Sequence, residues 1–303
     1  MNSKRKKSNR ATPYLFILPS FIGILLFTAG PLIMSLIMSF FDWPVLGDPD
    51  FIGLGNYIEL FTADSQFYTS LAITLKFTAI FVPLTIVLSL ILALIITKPV
   101  RGMSFFRIIF YLPTVVSSVA ISIIWGWILN SDYGVLNYFL SLFGVSGPDW
   151  LNSKQWAIVA LVIASGWTVG TLMLVFYTAL KGISVDVYEA ARIDGAKEIR
   201  TFFSITLPLI TPTLLFNIVT SIISSLQNLA LVMLLTKGGP MRSTYMYGLF
   251  VYDNAFGKSK LGYAAASAWV MFIIILLLTG LIFRSSDLWV YNKESTNKRK
   301  KVS

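Results

Sequence analysis

Six uninterrupted apolar blocks constrain this chain more than any other feature of its sequence. They span residues 14–41, 77–97, 106–129, 156–180, 207–236 and 264–283. Each block approaches or exceeds the roughly 20 residues that an α-helix needs to cross a bilayer. Charged residues make up only 13% of the chain, against about 25% in soluble domains. The sequence therefore predicts an all-α polytopic membrane protein with about six transmembrane helices.

The distribution of Lys and Arg predicts how these helices are oriented. Basic residues concentrate before the first block, in 98–107, in 181–200 and after the last block, whereas the connection after the first block is acidic. Short connections rich in Lys and Arg stay in the cytoplasm, so six spans place both termini inside. We expect a basic cytoplasmic tail at 1–12, one membrane domain at 13–284 and a second basic tail at 285–303, in a multi-pass protein of the cell membrane.

Several chemistries are excluded by composition. The chain has no Cys and no His, which removes thiolate chemistry and the commonest metal ligand. Charged residues occur only at the ends of the proposed spans, with Lys76 just before the second and Arg107 at the start of the third, and their absence from the middle of the membrane argues against coupling to an ion gradient. A phosphate-binding loop is missing too, because Tyr252 stands where the first Gly before Gly257-Lys258-Ser259 is required. We expect no catalytic residue, metal or cofactor in this chain, and no nucleic-acid partner.

The cytoplasmic connection 181–208 differs from the other basic loops because it mixes acidic, basic and small residues. Its composition predicts a short helix from Asp186 to Ala191, with Asp186 as the N-cap, and a second from Ala196 to Phe203. Gly195 allows a turn between them. Such a pair would project a compact knob toward a partner protein, although periodicity alone also fits an ordinary amphipathic surface helix.

The same segment carries a specific motif. Glu189-Ala190-Ala191, Gly195, Ile205 and Leu207-Pro208 follow the spacing EAA-x3-G-x9-I-x-LP. This resembles the signature loop of binding-protein-dependent ABC importer permeases. The resemblance implies a coupling helix that docks into a cytoplasmic ATPase, with Glu189 as an acidic contact, the two alanines as a close-packing face and Gly195 as the turn. The residues assigned to ATPase coupling are Glu189, Ala190, Ala191, Asp194 and Gly195.

A second resemblance concerns the proposed outer side. Leu235-Thr236-Lys237-Gly238-Gly239-Pro240, Ser243-Thr244 and residues 252–256 look like the outer loop of the carbohydrate branch of that family. The resemblance implies a sugar or oligosaccharide solute, a second permease subunit, two ATPase subunits that hold ATP and Mg²⁺, and an extracellular solute-binding protein. A non-sugar solute and a secondary transporter are the alternatives. The chain lacks the extra spans of the maltose system's larger permease, so no substrate residues can be carried over.

The fifth block contains an ordered polar stripe. Asn217, Ser221, Ser224 and Asn228 are spaced by four, three and four residues, with Gln227 at the margin. On one continuous helix they share a face. Amides facing lipid are costly, so the stripe faces either a neighbouring helix or the solute pathway. We interpret these five residues as candidate pathway residues, since uncharged donors and acceptors suit a hydroxyl-rich solute.

Two further features of the spans have packing and functional interpretations. Gly166 and Gly170 have the spacing of a small-x-x-x-small motif, which predicts close helix packing on one face of the fourth span. Trp125 and Trp167 offer stacking faces for a sugar ring, but we favour a bulky packing role for each.

Overall fold

The apolar blocks form helices in the computed structural model, which describes residues 12–291. The first helices are α1 (Thr12–Ile24), continued by a π-helical turn (Leu25–Ala29) into α2 (Gly30–Met38), α3 (Gly55–Thr62), α4 (Ser65–Thr97), α5 (Met103–Tyr111), a 3₁₀ turn (Leu112–Val115), α6 (Ser118–Ile128), α7 (Val135–Leu142), α8 (Ala157–Gly166) and α9 (Gly170–Lys181). Within the described residues the only sheet is a two-stranded antiparallel pair, β1 (Phe41–Asp42) and β2 (Asp50–Phe51).

The second half of the chain is equally helical. It comprises α10 (Val185–Ile193), α11 (Glu198–Thr201), a π-helical turn (Phe202–Thr206), α12 (Leu207–Leu209), α13 (Thr211–Leu226), α14 (Ala230–Leu235), α15 (Tyr247–Tyr252), a second π-helical turn (Asp253–Gly257) and α16 (Leu261–Trp289). The prediction of a helical chain is confirmed.

Six segments have the length and composition of membrane spans. Three are single helical stretches, Tyr14–Met38, Ser65–Thr97 and Leu261–Trp289. Three are pairs of shorter helices that meet at a bend, namely Met103–Val115 with Ser118–Ile128 (104°), Ala157–Gly166 with Gly170–Lys181 (48°) and Glu198–Leu209 with Thr211–Leu226 (68°). If each bent pair counts as one span, the described residues hold six, which is the predicted number.

The chain divides into two compact units. The smaller contains residues up to Asp64 and Val251–Phe272, and the larger contains Ser65–Phe250 and the residues from Ile273 onward. In the smaller unit the buried Asn56 side chain donates from Nδ2 to the carbonyl oxygens of Ser39 and Phe41, each at 2.9 Å. The Tyr263 hydroxyl donates to Asp64 Oδ2 at 2.7 Å. The two Asn56 bonds tie α3 to β1 and to the chain before it, and the Tyr263 bond ties α16 to the chain that follows α3.

The core of the larger unit forms where α4 and α9 pack together. Its fully or nearly buried side chains are Val82, Ile86, Ala93, Ile96, Met173, Phe176, Leu180 and Ile210. Buried hydroxyls on α4 bond to their own helix, as when Ser89 Oγ donates to the Ile86 carbonyl at 3.0 Å. Such local bonds satisfy polar groups without water, as an apolar solvent requires.

Three spans depart from the prediction of straight helices. The third breaks because Pro113 lies in the 3₁₀ turn and Val116 is extended (φ −75°, ψ 138°), after which Ser117 caps α6 by accepting a hydrogen bond from the Ala120 amide at 3.3 Å. The fifth does not continue from 207 to 236, since α13 ends at Leu226 and α14 is a separate helix. The fourth breaks between α8 and α9.

The prediction that Gly166 and Gly170 share one helix face is therefore wrong. Gly166 ends α8 and Gly170 begins α9, so the bend separates them and they do not share one helix face. A Cβ on Gly170 would lie 2.4 Å from the carbonyl oxygen of Phe110, whereas a Cβ on Gly166 would meet nothing within 4 Å. Close backbone approach thus needs Gly at 170 alone.

Candidate functional site

The loop at 181–208 forms a helical knob, which we define as α10 with the turn after it and α11. Helix α10 begins after Ser184, whose backbone is extended (φ −61°, ψ 139°). Asp186 lies in the first turn, so its prediction as the N-cap is wrong. There its carboxylate complements the helix dipole and accepts a hydrogen bond from Ser184 Oγ at 3.1 Å.

Gly195 closes α10 in the predicted manner. Its φ is +76°, a left-handed value that favours Gly. The Ala196 amide donates to the Ala191 carbonyl at 2.9 Å and the Gly195 amide donates to the Arg192 carbonyl at 3.0 Å, the two bonds of a Schellman motif. The second helix begins at Glu198 and not at Ala196, because Ala196 is used to complete this turn.

The signature residues point in two directions. Glu189, Ala190, Asp194 and Gly195 are exposed, whereas Ala191 is buried. The hydroxyls of Tyr188 and Thr206 lie 3.2 Å apart and connect α10 to the π-helical turn that leads into the fifth span. Ile193 and Ile199, with 87% and 76% of their surfaces exposed, lie close to the signature residues in sequence.

A cavity of about 500 Å³ opens between α4, α6, α9 and α13. Every residue of the described chain that lines it is uncharged. Seven of its 17 lining residues are apolar, and ten carry hydroxyl or amide side chains: Thr85, Thr114, Ser118, Ser165, Thr168, Thr171, Asn217, Thr220, Ser221 and Ser224. Such a wall offers hydrogen-bond donors and acceptors without a fixed charge.

Three of the predicted pathway residues line this cavity. Asn217, Ser221 and Ser224 lie on one side of α13, and Asn217 Nδ2 donates to the Leu172 carbonyl at 3.2 Å. Asn217 and Ser221 are 0% and 3% exposed, and within the described chain Asn217 Oδ1 and Ser221 Oγ have no hydrogen-bond partner. Buried polar atoms are normally bonded, so these two atoms lack the partner that such atoms usually have.

The two remaining stripe residues lie beyond the helix. Because α13 ends at Leu226, Asn228 and Gln227 are not on the predicted continuous face. Asn228 still lines an adjoining cavity of about 220 Å³ that shares Ser118, Ser165 and Ser224 with the first. Gln227 is an exposed C-cap residue that lines neither cavity, so the structure does not bring it to the other four.

Sequence reasoning missed the opposite wall of the cavity. Ser118 on α6, Ser165 on α8 and Thr85 on α4 come from separate spans. A single Ser or Thr in an apolar helix normally bonds to its own backbone, and Thr85 does so, with Oγ1 2.9 Å from the Phe81 carbonyl. Their spacing therefore carried no signal, and only the tertiary structure brings them together.

The two tryptophans pack against each other away from this polar cavity. The rings of Trp125 and Trp167 meet edge to face, with centroids 5.9 Å apart. They line a separate, mainly apolar cavity with Leu84 and Leu88 of α4. This geometry favours the packing interpretation over sugar stacking.

The predicted outer-loop motif forms a folded turn. Gly238 has φ +78°, and a Cβ there would lie 2.9 Å from the side chains of Leu249 and Tyr245. Thr244 is fully buried, with Oγ1 2.6 Å from the Gly239 carbonyl and 2.8 Å from Thr236 Oγ1. The motif residues thus contribute to local packing.

Comparison with known proteins decides the family. Residues 85–293 match the family described as "Binding-protein-dependent transport system inner membrane component". The chain belongs to this family. It is a membrane component of a binding-protein-dependent ABC transport system, as the signature predicted.

Individual relatives are similar to this protein in sequence over nearly the whole chain. The probable ABC transporter permease protein YesP of Bacillus subtilis (strain 168) is 36% identical over 95% of this chain and 94% of its own length. The trehalose/maltose transport system permease protein MalF of Thermococcus litoralis is 32% identical over 92% of this chain and 95% of its own. A crystal structure of a bacterial alginate ABC transporter, in complex with an alginate pentasaccharide-bound periplasmic protein, has a chain of the same fold (TM-score 0.79, 23% identity, 91% and 93% coverage).

Proposed function

We propose that this chain is a permease subunit of an ATP-driven importer for an uncharged sugar or oligosaccharide, and that the solute passes the polar cavity beside α13. The observation that carries the proposal is the wall of hydroxyl and amide groups without charge, with Asn217 Oδ1 and Ser221 Oγ buried and unbonded within the described chain. A relative named as a trehalose/maltose permease agrees with a carbohydrate solute, and the preference for a neutral one rests on the cavity.

The cavity chemistry favours a neutral solute over an anionic one. Sugar hydroxyls both donate and accept hydrogen bonds and so match Ser, Thr and Asn side chains. A carboxylate or phosphate would lose its hydration without gaining a counter-charge from this chain, which is costly in a poorly solvated site. Among the alternatives, a non-sugar solute with several hydroxyl or amide groups also fits the wall.

We further propose that the knob couples this cavity to an ATPase. Glu189, Ala190 and Asp194 are exposed on α10, Gly195 fixes the turn, and Ala191 anchors the helix from its buried side. ATP and Mg²⁺ would be held by two partner ATPase subunits. Movement of their docking cleft would move α10 and, through the Tyr188–Thr206 contact, the fifth span, so that the cavity opens alternately to the two sides.

The proposed assembly also contains a second permease subunit and an extracellular solute-binding protein. We place the chain in the bacterial cytoplasmic membrane with both termini inside, on the basis of the basic connections. The proposed N-terminal tail at 1–12 falls almost wholly outside the described residues, as does most of 285–303, although α16 continues to Trp289.

Uptake by the complete importer in liposomes tests this function. The importer would be offered neutral disaccharides such as maltose and trehalose, with uronate-containing counterparts of equal size. We expect uptake of a neutral sugar that requires ATP, disappears when the ATP site of the partner is inactivated, and persists with a protonophore. Uptake that continues without ATP and collapses with the protonophore would indicate a secondary transporter instead.

A further inference from the structure

A short helix between the third and fourth spans presents an uncovered apolar face. Helix α7 (Val135–Leu142) and the residue after it expose Tyr138, Phe139, Leu142 and Phe143, which are 63%, 55%, 61% and 83% exposed. Contiguous exposed apolar patches of this kind usually mark contact with another protein or with a membrane.

The other side of α7 is firmly attached to the protein. Leu136 and Leu140 pack against a core cluster that contains Leu129, Trp150 and Ala160. Asn137 Nδ2 donates to the Ser131 and Pro148 carbonyls, each at 3.2 Å, and Asn137 Oδ1 accepts from Trp150 Nε1 at 2.7 Å. The helix is therefore held in one orientation, and its exposed face is a fixed feature of the fold.

The faces of α7 are arranged as in a helix that lies along a membrane surface. At 100° per residue, Val135, Phe139 and Leu142 form one face that is continuous with the half-buried Leu136 and Leu140. Asn137 and Ser141 lie on the opposite side. Asn137 is engaged in the loop, and Ser141 is exposed. Leu136 and Leu140 thus contact the protein, whereas the neighbouring apolar residues Val135, Phe139 and Leu142 are uncovered.

Charge and chain position identify what covers this face. Residues 133–148 contain no Asp, Glu, Lys or Arg, and Asp132 and Asp149 lie at the two ends of this segment, so the exposed face itself carries no charge that would oppose contact with lipid. The chain enters α7 a few residues after α6, and α8 follows at Ala157, so both neighbours belong to membrane spans. Aromatic side chains such as those of Tyr138 and Phe139 are enriched where lipid headgroups begin.

We propose that α7 lies in the membrane–water interface with Val135, Phe139 and Leu142 in the lipid. An amphipathic helix of this kind buries its apolar face about 5–10 Å into the headgroup and acyl boundary. Because α7 is bonded to the loop and packed on the core beneath it, the interface fixes the depth of the adjoining ends of α6 and α8. The third and fourth spans are then anchored at that end while α13 moves.

Site-directed spin labelling of the complete importer in liposomes tests the proposal. This chain has no native Cys, so in a Cys-free background of the partner subunits each variant carries a single label. Phe139→Cys and Leu142→Cys would be compared with Ser141→Cys, a matched control on the same helix. Collisions of the nitroxide with oxygen, which concentrates in lipid, and with a water-soluble nickel chelate would be measured. We expect oxygen to dominate at Phe139 and Leu142 and nickel to dominate at Ser141.

Two results would overturn the proposal. Labels at Phe139 and Leu142 that collide mainly with nickel would place the face in water. Labels there that are immobile and shielded from both reagents would show a protein contact, and shielding that appears only with the solute-binding protein would identify that protein as the occupant. Val135→Cys, 53% exposed on the same face, provides a third position if either variant fails to assemble. None of these outcomes depends on which solute is transported.

Discussion

Gly195 closes α10 with a left-handed backbone (φ +76°), and a Cβ at this position would meet nothing within 4 Å. A substitution therefore perturbs the backbone angle alone, without a steric clash. An L-residue with a Cβ pays roughly 1–2 kcal/mol for this conformation, which lowers the equilibrium constant for forming the turn by about 5–30-fold. Asn tolerates the angle better than Ala, and a β-branched residue tolerates it worst.

We accordingly expect coupling to fall in the order Gly195, Gly195→Asn, Gly195→Ala, Gly195→Val. Insertion and yield should stay unchanged, because the turn lies outside the membrane core. The assay combines co-purification of the ATPase, its hydrolysis rate with the solute-loaded binding protein, and solute uptake into liposomes. Wild-type uptake by Gly195→Val with the ATPase bound would refute the reasoning. An equal loss of coupling in Gly195→Asn and Gly195→Val would show that the space around position 195, and not its φ angle, limits coupling.

Two other substitutions test coupling and packing. Glu189→Lys reverses the charge of an exposed side chain, so we expect normal insertion with loss of ATPase binding and uptake, and a smaller loss for Glu189→Gln; normal coupling of the Lys variant would remove Glu189 from the docking surface. Gly170→Ala should destabilise the subunit by about 1–3 kcal/mol, because its Cβ would lie 2.4 Å from the Phe110 carbonyl oxygen. Gly166→Ala has open space and serves as the matched control in thermal unfolding; equal effects at both positions would contradict this packing.

The apolar pattern predicted the helical class and the number of candidate spans, because block length is a property of the sequence alone. The turn at Gly195 was likewise predictable from motif spacing. The break after Leu226 was not, since the polar periodicity of the stripe continues through Asn228 while the helix ends. Pro113 itself indicated a bend in the third span, but the length of the apolar block favoured a single helix.

Only the α13 side of the candidate cavity could be predicted from the sequence. The stripe identified Asn217, Ser221 and Ser224 because they recur at helical spacing on one element. The facing hydroxyls of Ser118 and Ser165 come from different spans, and their proximity depends on how the bent helices pack. No local pattern encodes that arrangement, and for the same reason the exposed face of α7 emerged only from the structure.

State-dependent thiol labelling of α13 tests most directly whether the polar cavity is the solute pathway. Ser221→Cys and Ser224→Cys line the cavity, and because Ser221 is only 3% exposed, its labelling requires the cavity to open. Leu226→Cys, on the same helix, lines neither polar cavity and is the control. A small water-soluble thiol reagent would be applied to the assembled importer with and without trapped ATP, and with and without solute. We expect labelling at both cavity positions to change between nucleotide states and to fall when solute is present, with Leu226→Cys unlabelled throughout. Equal protection of all three positions in every state would contradict the account and assign the stripe to helix packing.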